Sequence, residues 1–75
     1  MRLSELQKGD FGTIKKIDAE KNLKKRLASF GIYKGVQFNI KALSLGRNTV
    51  EVRVGNTMVA LRRSEAEKIE VEQNE

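Results

Sequence analysis

Seventy-five residues hold one domain and leave no room for a second core. The chain has no Cys and no His, which excludes disulfides, thiolate or imidazole metal ligands, and Ser–His or Cys–His catalysis. The net charge of +5 divides into +9 over residues 1–63 (fourteen bases, five acids) and −4 over residues 64–75 (five acids, one base).

The opening, Met1-Arg2-Leu3-Ser4-Glu5-Leu6, has no apolar stretch of the kind a signal peptide requires, so a cytoplasmic location is expected. Apolar runs such as Met58 to Leu61 are far short of the ~20 residues that span a bilayer. Leu3 and Leu6 fit a brief helical turn, and Gly9-Asp10 is a turn signal. Phe11 to Ile17 reads as a first strand through Thr13, Ile14 and Ile17, with Gly12 marking either a bulge or a close backbone approach.

The convincing helical pattern lies over about 20–30, where Leu23, Leu27 and Phe30 fall on one face. Asp18 or Asn22 would cap its start, and Gly31 follows where a left-handed residue is expected. Val36, Phe38, Ile40 and Ala42 alternate with polar residues as a half-buried strand, and Ser44 to Asn48 is a loop. Val50, Val52 and Val54 form the next strand. Gly55-Asn56 then turns the chain so that Val54 meets Thr57, Val52 meets Val59 and Val50 meets Leu61. Ser64, with Glu67 three residues on, reads as a capping box for one helical turn. Ile69 and Val71 alternate with Glu70 and Glu72 as a last strand, and Gln73 to Glu75 reads as a frayed tail.

About five short antiparallel strands, with one amphipathic helix and a short helical turn before the last strand, make a mainly β domain. Bare edges invite aggregation, so closure into a small barrel is the economical arrangement. The basic body suits an acidic protein surface, nucleic acid or an anionic leaflet, and equally a merely solvated exterior. Lys24-Lys25-Arg26, joined by Lys15, Lys16 and Lys21, is its densest part. Phe30 and Phe38 stand in registers that look buried, while Tyr33 looks exposed. One exposed ring is a thin platform for stacking bases. The carboxylates Asp10, Asp18, Glu20 and Glu51 are scattered, and no glycine spacing cradles a phosphate. Neither a cofactor nor a metal site is expected, and any divalent cation would have only weakly binding carboxylates and water.

Three segments carry a resemblance. Leu3-Ser4-Glu5-Leu6-Gln7-Lys8-Gly9-Asp10-Phe11-Gly12-Thr13-Ile14 is similar to an "L-x-x-L-x-x-G" opening followed by a first strand. Arg26-Leu27-Ala28-Ser29-Phe30-Gly31-Ile32-Tyr33-Lys34-Gly35 resembles an "R-L-x-x-L/M-G-hydrophobic-x-x-G" passage, with Lys34 where Pro is frequent. Ala60-Leu61-Arg62-Arg63-Ser64-Glu65-Ala66-Glu67-Lys68-Ile69-Glu70-Val71 resembles "A-L-R-x-x-E-A-x-x-I-x-V". These are the motifs of the FeoA family, small accessory proteins of bacterial ferrous-iron transport, and the likeness spans nearly the whole chain in the manner of a stand-alone member. The resemblance implies an SH3-like barrel over residues 1–75. It also implies no catalysis and a cytoplasmic role beside the membrane transporter FeoB.

Two readings follow. The chain is expected to bind and regulate FeoB through a protein–protein surface at the helix and its exit: Lys24, Lys25, Arg26, Phe30, Tyr33 and Lys34. On that reading it binds no nucleic acid, is peripheral to the membrane at most, and has a short exposed strand that leaves room for homo-oligomers. The alternative is a small basic barrel that binds single-stranded nucleic acid.

Overall fold

The computed structural model describes residues 1–74. In chain order come a 3-10 turn (Leu3–Glu5), β1 (Phe11–Ile17), α1 (Lys21–Ser29), β2 (Gln37–Leu43), a second 3-10 turn (Leu45–Arg47), β3 (Thr49–Val54), β4 (Thr57–Arg62), α2 (Arg63–Ala66) and β5 (Ile69–Asn74). The strands form one antiparallel sheet in the order β4-β3-β2-β1-β5. The fold is mainly β and SH3-like. The expected frayed tail is a strand as far as Asn74, and Glu75 lies outside the described residues.

The β3–β4 hairpin has the register that the alternation requires, pairing Val54 with Thr57, Val52 with Val59 and Val50 with Leu61. Val50, Val52, Val59 and Leu61 are all buried. Gly55 alone takes a positive φ (60°) in the turn, as type II′ geometry demands of its first residue.

Strict alternation breaks down at two places, and each break is a bulge. In β1 the buried positions Ile14 and Ile17 are three apart, whereas a flat strand would place them on opposite faces. The ladder with β5 absorbs one extra residue, Lys15, between the pairs Ile14–Val71 and Lys16–Glu70. Both isoleucines then point inward and two consecutive lysines point outward. In β2 the extra residue is Lys41, which moves the inward phase from Ile40 to Leu43, opposite Val50.

Among the described residues no ladder joins the end strands β4 and β5. Instead α2 joins them directly, and the N-terminus covers the outer side of β5. Arg2 bridges Glu70, and Val71 N–H donates to Met1 O at 2.8 Å. Phe38, Leu3, Leu6, Ile14, Leu27 and Ile32 are among the side chains fully buried inside. The 3-10 turn at Leu3–Glu5 is tied down from across the barrel, where the Arg47 guanidinium donates to Leu6 O at 2.6 Å.

Both expected helix caps sit elsewhere. The residue preceding α1 is Glu20, which makes no side-chain cap, and Asp18 is engaged otherwise. Before α2 it is Arg62, not Ser64, whose N–H donates to Glu65 Oε1 at 2.9 Å. Glu65 therefore takes the reciprocal role expected of Glu67.

Gly12 is a close approach and not a bulge. A Cβ there would stand 2.1 Å from Glu72 O on β5. Gly12→Ala forces β1 and β5 apart. We expect a loss of about 2 kcal/mol and a fall in Tm of roughly 8–16 °C, read by thermal unfolding. A variant that melts with the parent contradicts this packing.

Candidate functional site

Helix α1 is nine residues long, too short to hold itself in water. One of its side chains, Leu27, is fully buried, and Leu23 packs half-buried against the same core. Three connections fix it. Ile32 N–H donates to Leu27 O at 2.9 Å as the chain leaves the helix. Gly31, at φ 89°, makes the sharp exit that a side chain would strain. Arg26 Nη1 donates to Glu65 Oε2 at 2.6 Å, joining α1 to α2.

That ion pair is asymmetric. The Glu65 side chain is 9% exposed and the Arg26 side chain 55%. Each Glu65 oxygen has a partner, the guanidinium on one and the Arg62 N–H on the other. The same guanidinium lies over the Phe30 ring, 5.8 Å from its centroid. Phe30 is 37% exposed, not buried, so the helical stripe of Leu23, Leu27 and Phe30 is apolar but only Leu27 is deeply enclosed. The exposed rings are Phe11, Phe30 and Tyr33, where the sequence indicated Tyr33 alone.

With α1 held in this way, an open groove of about 510 Å³ lies between it and β1. Strand β1 contributes Lys15, Lys16 and Ile17. Helix α1 contributes Lys24 and Ala28, and the following connection contributes Tyr33 and Lys34. That connection is fastened to β1, because Gly35 N–H donates to Ile14 O at 2.7 Å and Ile14 N–H donates to Val36 O at 2.8 Å. Four ammonium groups thus rim a floor of Ile17 and Ala28. Lys16 is paired with Asp18 at 3.1 Å. Among the described residues no acid pairs with Lys15, Lys24 or Lys34.

The six residues expected at the docking surface fall into two groups. Lys24, Tyr33 and Lys34 meet in the groove. Arg26 and Phe30 are stacked together where Arg26 reaches Glu65. Lys25 is exposed on α1 but does not line the groove. Lys15 and Lys16 stood only as part of the wider basic run. The signal that places them here is the three-residue spacing of Ile14 and Ile17, which demands the bulge.

Asp18 follows β1 directly and pairs with one of the groove lysines, Lys16. Asp18 also accepts from Arg2 Nη1 at 2.7 Å, while its own N–H donates to Lys68 O at 2.7 Å. The hydrogen bonds from Arg2 and then Lys16 hold its carboxyl below the usual aspartate range. Among the described residues no group of three carboxylates converges as a metal site would require. No helix there is long and apolar enough to cross a membrane.

The chain is thus a five-stranded SH3-like barrel with a cationic groove between β1 and α1 and with its buried carboxylate satisfied. The FeoA domain model matches residues 1–73, and the chain belongs to the FeoA family. It is 39% identical over 71 residues to the putative Fe(2+) transport protein A of Campylobacter jejuni, covering 95% of this chain and 96% of that one. It is 36% identical over 72 residues to the Fe(2+) transport protein A/Fe(2+) transporter FeoB fusion protein of Porphyromonas gingivalis, covering 96% of this chain and 8% of that one. The zinc-complexed crystal structure of Stenotrophomonas maltophilia FeoA, described as a prokaryotic SH3 domain protein, superposes with a TM-score of 0.83. The identity is 32%, covering 99% of this chain and 95% of that one.

A lowered carboxyl pKa adds stability at neutral pH that is lost as the pH falls through the folded-state value. Below about pH 3.9, the ordinary aspartate value, the wild-type chain should therefore lose stability progressively. Asp18→Asn should be less stable than wild type at pH 7, and the gap should close as the solution is acidified through that window. Denaturant titration at a series of pH values reads the gap, and a gap that stays constant down to pH 2 refutes the linkage.

Proposed function

We propose that this chain is a cytoplasmic, non-catalytic accessory protein of bacterial ferrous-iron uptake that docks on the cytosolic face of FeoB and regulates it. The observation that carries the reading is the groove between β1 and α1, where Lys15, Lys24, Lys34 and Tyr33 stand together without an acidic partner among the described residues. Charge of one sign in a concave site draws an opposite surface and speeds encounter.

The Porphyromonas relative supports the choice of partner, since its name joins transport protein A to FeoB in one polypeptide. Tethering of that kind holds two modules at millimolar effective concentration, which is useful where they act in contact. The absence of Cys and His supports a binding role over catalysis. Within the docking surface we place Lys24, Lys25, Tyr33 and Lys34 as direct contacts, with Arg26 and Phe30 holding the helix that presents them. For single-stranded nucleic acid the groove offers one ring, Tyr33, where stacking platforms use several.

Lys24→Glu combined with Lys34→Glu tests this without touching Arg26. Both side chains are exposed, so stability should stay within about 0.5 kcal/mol of wild type. The wild-type chain should co-purify with detergent-solubilised FeoB at low ionic strength and less at high salt. The double variant should lose that capture. Undiminished capture would show that this surface does not dock.

A further inference from the structure

The groove has more character than a patch of positive charge. Its β1 wall is a piece of sheet that, among the described residues, has a strand on one side only, β5. The β1–β2 ladder covers Phe11–Thr13 and ends with the pair Thr13–Gln37, after which β2 departs through the Tyr33–Val36 turn. Lys16 and Ile17 pair with β5 on one side, Lys15 is the bulge just before them, and all three line the groove. The floor is apolar, and it stays open because α1 presents the small side chain of Ala28. The volume of about 510 Å³ falls within the ~300–1,000 Å³ typical of ligand sites.

These features select a ligand chemistry. An unpaired strand flank takes extended backbone. Rim lysines on both walls take carboxylates. The Ile17–Ala28 floor beside Tyr33 takes an aliphatic side chain, which a nucleotide backbone does not offer.

We infer that this groove receives an extended acidic peptide segment of a partner protein, laid along β1 with its carboxylates on Lys15, Lys24 and Lys34 and an aliphatic side chain on the Ile17–Ala28 floor. The inference deepens the docking proposal and rests on it for the identity of the partner, but the recognition chemistry can be tested apart from any transporter.

The probe is a fluorescein-labelled octapeptide alternating Glu with Leu, titrated against the full chain and followed by anisotropy. Saturable binding is expected at low ionic strength, weakening with added salt, and a Lys–Leu peptide of the same length should not bind. Replacing the three lysines together, Lys15→Gln, Lys24→Gln and Lys34→Gln, should weaken binding about tenfold or more while leaving the melting temperature nearly unchanged.

Ala28→Phe separates shape from charge. It fills the floor and keeps every lysine, so it should weaken the peptide by a similar factor. The triple Gln variant carries the test if Ala28→Phe fails to fold. Inorganic phosphate at matched ionic strength should not displace the peptide. An oligothymidylate of comparable length should bind more weakly and be indifferent to Ala28→Phe.

The inference is overturned if the Glu–Leu peptide fails to bind at low salt. It is equally overturned if the triple Gln variant binds it as wild type does, if folded Ala28→Phe does so, or if phosphate or oligothymidylate displaces it from the same lysines. Peptide failure beside intact FeoB capture removes this chemistry and leaves the docking proposal standing. Peptide binding beside failed capture does the reverse.

Discussion

The arrangement depends on one joint, the ion pair between Arg26 and Glu65. A carboxylate in a barrel of apolar side chains is costly unless both its oxygens are matched. Here one is held by backbone and the other by a guanidinium reaching from α1. The pair fastens a helix with one deeply buried side chain to the turn that links the two end strands. Its chain neighbours, Leu27 and Ala66, are both fully buried in the same core cluster. Polar and apolar contacts thus work in parallel at this joint, and the groove takes its width from where they set α1.

The second constraint is backbone geometry in β1. This strand is paired along nearly its whole length with β5 and only at its start with β2. The tight approach at Gly12 lets β1 lie against β5, and the bulge at Lys15 then sets Lys15 and Lys16 among the residues that line the groove. Without the bulge, Lys15 or Lys16 would take the inward place of an isoleucine. The feature that preserves the core is therefore the one that supplies two of the four groove lysines.

Much of the fold was legible in the sequence where local periodicity alone decides it. β1 begins and ends at the residues expected, Phe11 and Ile17, and α1 lies within the helical pattern. The β3–β4 hairpin follows because alternating valines and a glycine-led turn leave one register that buries them. What sequence could not supply depends on residues far apart in the chain. Glu65 looked like one acid among several, and only the approach of Arg26 across 39 positions explains its burial. That same carboxylate moved the start of α2 ahead of Ser64. Phe30 has a core-like spacing, yet at the helix end it meets Arg26 and solvent instead. Of the six residues expected at a docking surface, Lys24, Tyr33 and Lys34 line the groove, and Lys15 and Lys16 entered it through a bulge that no single helix or strand pattern reveals. The role beside iron transport came from the family motifs, not from any reactive group.

A double-mutant cycle on Arg26→Ala and Glu65→Ala, measured by denaturant unfolding, tests the joint most directly. The Arg26 change alone should cost about 1–2 kcal/mol, because it leaves one buried Glu65 oxygen unmatched and the pair is only half shielded from solvent. The double variant should cost clearly less than the two single changes together, with a coupling of about 1 kcal/mol or more. Single effects that simply add, with coupling within about 0.3 kcal/mol of zero, would contradict the account.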